Sequence, residues 1–387
     1  MIDFTLTDEQ QMLIQMTHNF VEKEMLPHEE TLERTDTLPP KLAASLKKRA
    51  IELGLHACNL PEEVGGGGLD AVSVMLIEKE LGRTSLALAE CAHRPLNILA
   101  SCEGEQVTKF LEPTIRGEKR DCIAMTEPGA GSDLRGMKCK AELDKDEWII
   151  NGEKHFISQA SISDYCVLFA ATGEDETDKG LKKRISAFLV DFNDHGVEVA
   201  PGYKNVSHRG YTNNILRFDN ARIPQWRIMG PEGDGFRIVN QWLGPTRLTV
   251  AATCVARAER AFEIALNYSA TREQFGQKIG KFQGISFELA DMATEIKMAN
   301  LMLLETAWKI DQGIVTPEDC AMTKLFCSEM LSRVADQSIQ TVGGMGLMED
   351  LPLERIWRDA RLERIWDGTS EIQRHIISRG LLRPLEK

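Results

Sequence analysis

The chain has 387 residues, of which 42% are hydrophobic and 27% charged, and its formal net charge is −13. This length is enough for two or three domains with substantial cores, and the composition is that of a soluble globular protein. The acidic balance argues against binding along a phosphate backbone, so we expect no nucleic-acid partner. It still allows a local cationic site for a small anionic ligand.

Nine cysteines are scattered along the chain without Cys-x-x-Cys spacing. This pattern predicts free thiols in a reducing compartment, with no disulfide framework and no metal site. Residues 1–6 lack the basic and apolar segments of a targeting peptide, and no run reaches the roughly 18 apolar residues of a membrane span. The expected location is therefore cytoplasmic.

The first third of the chain has the pattern of helices. Thr7 and Gln10 have the spacing of a capping box at a helix start. Apolar periodicity predicts further helices over residues 41–53 and 71–81. The four glycines at 65–68 lie between them and predict a loop or a close backbone contact, because glycine weakens regular structure.

The middle third has the short apolar runs of β-strands. Asn151-Gly152 suits a tight turn with positive φ, so residues 148–157 are predicted to form a hairpin. Turns separate four further β-type runs, at residues 165–170, 185–190, 197–199 and 215–218.

The last third is again helical in pattern, and Thr316-Pro317 marks one helix start. The order of helices, strands and helices predicts three domains. These are an N-terminal α-helical domain over residues 1–120, a central β domain over 121–234 and a C-terminal helical bundle over 235–387.

Four segments are candidates for ligand binding, and each also has a plain structural explanation. Residues 124–133 contain small residues that would let a ligand approach the backbone, or they form a simple Pro-Gly turn. Arg272, ahead of Phe275-Gly276, could clamp a pyrophosphate or could be a surface residue near a helix end.

The other two segments adjoin predicted helices. Residues 343–346 read Gly-Gly-Met-Gly, which could present backbone amides to a cofactor or form an interhelical turn. In Asp367-Gly368-Thr369 an acid precedes a helix start. There, helix capping by Asp or Thr is the structural alternative and would contribute about 1 kcal/mol.

The order and spacing of these segments resemble the acyl-CoA dehydrogenase family, from Asp8 to Arg379. Residues 126–133 and 368–373 carry the most specific parts of the resemblance. It implies a mainly α fold with an N-terminal helical domain, a middle β-barrel-like domain and a C-terminal four-helix bundle, usually in a homotetramer.

The resemblance also implies an activity. Family members use FAD to remove a proton and a hydride from neighbouring carbons of an acyl-CoA thioester, and they pass the electrons to an electron-transferring flavoprotein. An acyl-CoA substrate, FAD and that partner are therefore expected. The alternatives are an oxidase that uses oxygen, an enoyl-CoA reductase, or a catalytically weak member that binds flavin or CoA and acts as a partner protein.

The resemblance assigns site residues in this chain. Phe156 replaces the family's usual Trp beside the flavin ring, and Ser158 replaces a Thr whose hydroxyl faces flavin N5. The other expected cofactor contacts are Met125, Thr126, Ser132, Arg272 and Phe275 from a neighbouring subunit, Gln340, Gly344, Thr369 and Gln373. The expected substrate contacts are Ser132, near the CoA phosphates, Arg247 and Gly368.

The expected catalytic base departs from the family pattern. The family usually has Glu immediately before Gly-Thr, whereas this chain has Asp367. A minority of members place their Glu at the position that Thr246 occupies here, and threonine cannot act as that base. Asp367 is thus the only carboxylate at either family position.

The segment expected near the acyl end of the substrate is unusually polar, reading Glu90-Cys91-Ala92-His93-Arg94-Pro95. These side chains either face solvent or indicate a polar, branched or cyclic acyl group. The shorter base at Asp367 fits the second possibility, because it leaves more room for the substrate.

Overall fold

The computed structural model describes residues 5–177 and 180–386. Residues 1–4, which belong to the N-terminal segment considered above, lie outside the described residues. Along the chain, a group of helices is followed by a sheet and then by a second group of helices, as the sequence predicts.

The N-terminal region is helical. The capping box of Thr7 and Gln10 begins the first helix, as predicted. The helices predicted over residues 41–53 and 71–81 are observed at Pro40–Glu52 and Ala71–Leu81, so the bounds differ by one residue at most. Gly66 and Gly67 lie in a loop that packs tightly on Leu60 and Cys58, since a Cβ on Gly66 would lie 2.3 Å from the Leu60 carbonyl oxygen. The helices are α1 (Asp8–Phe20), α2 (Glu29–Thr35), α3 (Pro40–Glu52), α4 (Ala71–Leu81), α5 (Leu86–Ala89) and α6 (Glu112–Ile115).

The middle region is one curled sheet. Its strands are β1 (Asp121–Ala124), β2 (Lys140–Asp144), β3 (Glu147–Ser158), β4 (Tyr165–Thr177), β5 (Gly180–Asp191), β6 (Val197–Pro201), β7 (Asn213–Pro224) and β8 (Ile228–Met229). The strand order is β6-β7-β3-β2-β4-β5-β8, and β1 pairs in parallel with β4. The four predicted β-type runs all lie on these strands.

The predicted hairpin at Asn151-Gly152 is wrong, because β3 runs straight through these residues. Gly152, at φ 145°, lies at a shift in the register between β3 and β7, so it forms a bulge and not a turn. The true turn lies between β2 and β3, where Lys145 has φ 60°. The Asn-Gly pair suits the positive φ of a hairpin turn and also that of a β-bulge. Only the strands with which β3 pairs show which of the two is present.

The C-terminal region contains three long helices, α7 (Gly235–Thr271), α8 (Gln283–Asp311) and α9 (Pro317–Val342). Two shorter helices, α10 (Leu353–Glu363) and α11 (Ser370–Leu382), pack against α9. The short strands β9 (Glu273–Gln274) and β10 (Gln277–Lys278) form a hairpin between α7 and α8. Thr316 caps α9 through a capping box with Asp319, which confirms the predicted helix start.

The N-terminal and C-terminal helices share one hydrophobic core. Ile77 and Leu81 of α4 pack with Ala251 and Val255 of α7 and Leu303 of α8. Separate apolar clusters lie on the two faces of the sheet, and one of them reaches Ile238 at the start of α7. The two helical regions are therefore joined through one core, and the start of α7 also packs against one face of the sheet.

All nine cysteines are free and buried. Within residues 5–177 and 180–386, no group of three or more His, Cys, Asp or Glu side chains is placed to hold a metal ion. Over the same residues, no helix combines the length and apolar character needed to cross a bilayer.

The bulge at Gly152 gives a test of the sheet. A Cβ there would lie 2.7 Å from Cys139 Cα, at a positive φ. We expect Gly152→Ala to lower the free energy of unfolding by about 1–3 kcal/mol in urea titrations.

Gly284→Ala is the matched control, because a Cβ there meets no atom within 4 Å and the site lies in α8. It should be neutral or stabilising by up to about 1 kcal/mol. Equal stability of the Gly152 variant and the wild type would contradict the assigned bulge.

Candidate active site

Asp367 lies in the turn between α10 and α11. Its φ is 51°, and that of Gly368 is 91°, so two successive residues are left-handed. A non-glycine residue in this region costs roughly 1–2 kcal/mol. The surrounding structure must therefore hold the turn in place.

Two buried side chains hold this turn. Lys324 Nζ, on α9, donates a hydrogen bond to the Gly368 carbonyl oxygen at 2.9 Å. Gln373 Nε2 donates to the same oxygen at 2.8 Å and to the Asp367 carbonyl oxygen at 3.1 Å. Both side chains are fully buried. The carbonyl groups of the turn are thus fixed from inside the protein, and sequence reasoning missed the role of Lys324.

The side chain of Asp367 is free for a ligand. Thr369 caps α11 by accepting a hydrogen bond from the Ile372 N–H, so the cap is Thr and not Asp. Among residues 5–177 and 180–386, no hydrogen bond reaches the Asp367 carboxylate, and the Asp367 backbone N–H donates none. The Asp367 carboxylate, an acceptor, and the Asp367 backbone N–H, a donor, are therefore both available to a ligand.

The pKa of Asp367 is set by burial and by three neighbouring charges. Burial raises the pKa of Asp367 to about 6. The Lys324 ammonium opposes this rise, the Glu363 carboxylate adds to it, and the Arg247 guanidinium opposes it. A carboxyl group with a pKa near neutrality suits a general base, because it is ionised at pH 7 and still accepts a proton readily.

Arg247 is buried on α7 beside this turn, with 8% of its surface exposed. Burial lowers the pKa of its guanidinium, and its Nε has no hydrogen-bond partner among the described residues. An unpaired buried donor costs about 1–3 kcal/mol. Arg247 lies near enough to Asp367 to feel its charge, and its free donor suits a ligand oxygen. Its predicted role as a substrate contact stays a prediction.

A buried hydrogen-bond network around the Glu363 carboxylate lies next to the turn. Glu363 accepts hydrogen bonds from Arg257 Nη1 at 2.6 Å and from Trp366 Nε1 at 2.6 Å. His208 Nε2 lies 3.3 Å from the same carboxylate. Sequence reasoning missed this network, because its members lie far apart in the chain and no local pattern relates them.

The loop with Met125, Thr126 and Ser132 follows strand β1. Mutual backbone hydrogen bonds between Glu127 and Ala130 close a tight turn, so the plain Pro-Gly turn is present. Ser132 is exposed, and Cβ atoms on Gly129 or Gly131 would meet nothing within 4 Å. The loop has open space beside it.

A buried ion pair braces this loop. Lys154 Nζ donates to Glu127 Oε1 at 2.8 Å and to the Met125 carbonyl oxygen at 2.9 Å. Glu127 also accepts the Cys139 N–H at 3.0 Å. The brace fixes the backbone of Met125 and Thr126 relative to β3, which carries Phe156 and Ser158.

Phe156 and Ser158 lie at the end of β3. Phe156 has φ 56° and is 53% exposed, an unusual state for an aromatic ring. Ser158 is half-buried and lies close to the Tyr211 side chain. Tyr211 in turn packs against Trp366, with ring centroids 6.5 Å apart. Through Tyr211, the end of β3 lies beside the turn that holds Asp367.

The remaining predicted cofactor residues lie on the protein surface. Arg272 caps the C-terminus of α7, and Phe275 lies in the β9–β10 hairpin, where it is 94% exposed with φ 52°. Gln340 and Gly344 lie at the end of α9 and are also exposed. Among the described residues, no hydrogen bond or ion pair joins these four to the Asp367 turn. Their predicted contact with cofactor stays a prediction.

The polar segment after α5 is largely buried, which argues against the alternative that its side chains simply face solvent. His93 is 8% exposed and Cys91 6%. Arg94 forms a bidentate pair with Glu78 at 2.6 and 2.8 Å, and Arg120 pairs with Glu90 at 2.9 Å. Ion pairs with residues distant in the sequence allow these charged side chains to be buried.

Comparison with known proteins identifies the family. The models of the N-terminal, middle and C-terminal domains of acyl-CoA dehydrogenases match residues 7–118, 122–221 and 233–382. The chain belongs to the acyl-CoA dehydrogenase family and is an oxidoreductase that acts on acyl-CoA.

Several relatives agree over almost the whole chain. A probable acyl-CoA dehydrogenase of Bacillus subtilis, YngJ, is 37% identical over 99% of this chain and 100% of its own. The structure of butyryl-CoA dehydrogenase from Megasphaera elsdenii has a TM-score of 0.90 at 31% identity, and covers 99% of this chain and 100% of its own. The FAD complex of PigA has a TM-score of 0.90 at 30% identity, with 98% of this chain and 99% of its own covered.

The raised pKa of Asp367 predicts a pH-dependent effect of Asp367→Asn on stability. Because the pKa rises from 3.8 to about 6 on folding, the wild type loses stability as pH rises through this window. Asparagine carries no charge, so the variant should gain about 1–3 kcal/mol relative to wild type between pH 4 and pH 8. Urea titrations at both pH values measure this gain, and a pH-independent difference would contradict the shift.

Proposed function

We propose that this protein catalyses FAD-dependent α,β-dehydrogenation of an acyl-CoA to the 2-enoyl-CoA, with Asp367 as the base. The observation that supports this most is the state of Asp367. The residue is half-buried, its carboxylate lacks hydrogen bonds within the described residues, and its pKa is raised to about 6. A purely structural carboxylate would be paired or hydrogen-bonded.

The residues present fit FAD. The exposed Phe156 ring suits a flavin face, and the open loop at Gly129 and Gly131 leaves backbone accessible. Gln373 Oε1 is buried without a partner among the described residues and could accept a ligand hydroxyl. When bound, the flavin supplies the acceptor for the hydride that leaves the β-carbon.

The chain itself handles the proton and the charge. The Asp367 carboxylate takes the α-proton, and its backbone N–H faces the thioester oxygen, where negative charge develops. Lys324 keeps Asp367 ionised and holds the Gly368 carbonyl, so the base stays oriented. The Arg247 guanidinium, whose Nε has no partner among the described residues, adds a positive charge near the thioester oxygen.

The shorter base sets a constraint on the substrate. Aspartate reaches about 1.5 Å less far than glutamate. A displacement of this size costs on the order of 100-fold in rate unless the turn or the substrate compensates. The proposed enzyme therefore prefers substrates that sit closer to the turn than a simple straight-chain acyl group.

We also propose the partners that the family resemblance implies. A homotetramer is supported by the exposure of Phe275 on the β9–β10 hairpin and of Gln340 and Gly344 at the end of α9, since these residues would meet a neighbouring subunit. An electron-transferring flavoprotein is the proposed electron acceptor. A cytoplasmic location stays the prediction made from the sequence.

Anaerobic flavin bleaching tests the function. The purified protein should carry FAD, and an acyl-CoA from a panel of straight, branched, cyclic and hydroxylated esters should bleach it. Asp367→Asn should keep FAD yet lose at least about 1,000-fold in the reduction rate, because the amide cannot accept the proton. The wild-type reduction rate should rise with pH through about 6 and then level off.

Full reduction by the Asn variant would contradict the base assignment. Bleaching by no ester, with FAD bound, would favour the alternative of a catalytically weak family member, which the unusual aspartate keeps open. Rapid reoxidation of the reduced protein by air would favour an oxidase.

Asp367→Glu tests the geometry of the base. We expect it to raise reduction by straight-chain acyl-CoA by about 10-fold or more, because the carboxylate regains the reach of the family glutamate. Stopped-flow reduction with butyryl-CoA and hexanoyl-CoA measures this change. A loss of rate with every ester of the panel would show that the cavity is built around aspartate.

A further inference from the structure

The Asp367 backbone N–H belongs to the peptide group that joins Trp366 to Asp367. Within the described ranges this N–H donates no hydrogen bond, so no bond of its own fixes the direction in which it points. Lys324 and Gln373 hold the carbonyl groups that follow it in the chain. The direction of the N–H therefore also depends on what holds Trp366, the residue on its other side.

The Trp366 side chain is anchored by a buried carboxylate. Its indole Nε1 donates a hydrogen bond to Glu363 Oε2 at 2.6 Å. Glu363 is fully buried, while Trp366 is half-buried. A hydrogen bond to a charged acceptor is roughly twice as strong as one between neutral groups. The bond to Glu363 therefore favours one orientation of the indole.

Two other groups hold the Glu363 carboxylate in turn. Arg257 Nη1, on α7, donates to Glu363 Oε1 at 2.6 Å, and His208 Nε2 lies 3.3 Å from the same oxygen. A buried carboxylate is costly without a cation beside it, and Arg257 supplies that cation. Oε1 of Glu363 is thus occupied by Arg257 and His208, and Oε2 binds Trp366.

The Trp366 ring is also flanked by two rings from the loop between β6 and β7. The centroid of the His208 ring lies 5.2 Å from it, and that of Tyr211 lies 6.5 Å from it. The His208 backbone N–H donates to Asp359 Oδ1 at 2.7 Å, which ties this loop to α10. The indole is thus held by one directed hydrogen bond and by packing against a loop of the sheet region.

We propose that Trp366 is a positioning residue for the base, and that its hydrogen bond to Glu363 orients the backbone N–H and the carboxylate of Asp367. The inference rests on the proposed function, because it concerns the orientation of the proposed base. The peptide that carries the N–H is planar and has the Cα of Trp366 at one end, so a fixed Trp366 side chain limits its rotation. A small displacement of a base or of a donor to a developing charge is costly in rate.

Glu363 has a second effect, which distinguishes it from Trp366 in an experiment. Its negative charge adds to the rise in the pKa of Asp367, whereas the charges of Lys324 and Arg247 oppose that rise. The Trp366 indole carries no charge. Loss of the hydrogen bond should therefore lower the rate of flavin reduction, and loss of the Glu363 charge should change the pH dependence of that rate.

Trp366→Phe tests the hydrogen bond, because phenylalanine keeps an aromatic ring beside His208 and lacks the indole N–H. Stopped-flow reduction of the holoenzyme is measured against the concentration of the best ester of the panel, which separates the limiting rate from the dissociation constant. We expect the limiting rate to fall by roughly 10-fold or more and the dissociation constant to stay within about 3-fold of the wild type. The midpoint of the pH profile should match that of the wild type.

Trp357→Phe is the matched control. Trp357 lies on α10, is 47% exposed, and its indole Nε1 donates to Asp336 Oδ1 at 3.1 Å. The substitution removes the same kind of hydrogen bond from a tryptophan that does not adjoin Asp367. The limiting rate should therefore stay within about 2-fold of the wild type.

Glu363→Gln keeps an acceptor for the indole and removes the negative charge. We expect it to retain more of the limiting rate than Trp366→Phe and to move the midpoint of the pH profile down by about 0.5 pH unit or more. Glu363→Gln deprives Arg257 of its counter-charge, so Trp366→Phe, which leaves that pair intact, decides the test if the glutamine variant does not fold.

Equal limiting rates in the wild type and Trp366→Phe would overturn the inference while the proposed function stands. An effect of Trp366→Phe confined to the dissociation constant, or an equal loss of rate in Trp357→Phe, would overturn it as well. If no ester bleached the flavin of the wild type, the proposed function itself would fall.

Discussion

The hydrogen bonds that Lys324 and Gln373 donate to the turn at Asp367 are the constraint on which the site depends. They hold two successive left-handed residues, one of which is not glycine. Without them, the backbone strain of Asp367 would relax toward ordinary helix-end geometry. Among the described residues, neither the carboxylate nor the backbone N–H of Asp367 has a hydrogen-bond partner, so both remain available to a ligand.

Lys324 also has an electrostatic role that a neutral donor could not fill. Removal of Asp367 from water favours its protonated form, and the nearby Glu363 adds to this effect. The ammonium group opposes both, so the pKa stops near neutrality and does not rise further. Arg257 pairs with Glu363 at 2.6 Å and thereby limits the repulsion that Asp367 experiences. The pKa of Asp367 is thus set by a balance of opposing charges, each fixed by a different helix.

The sequence alone determined those features that depend on neighbours along the chain. The capping residues Thr7 and Thr316, the helix bounds near 41–53 and 71–81, and the position of Asp367 before Gly-Thr were all predictable, because their signals are local. Asn151-Gly152 shows the limit, since the same two residues suit a turn or a bulge and the strand pairing of β3 with β7 decided between them. The pairing of Arg120 with Glu90, the lysine that holds Gly368 and the raised pKa of Asp367 were decided by the tertiary structure. These properties arise from burial and from charges on separate elements, and no local pattern encodes either one.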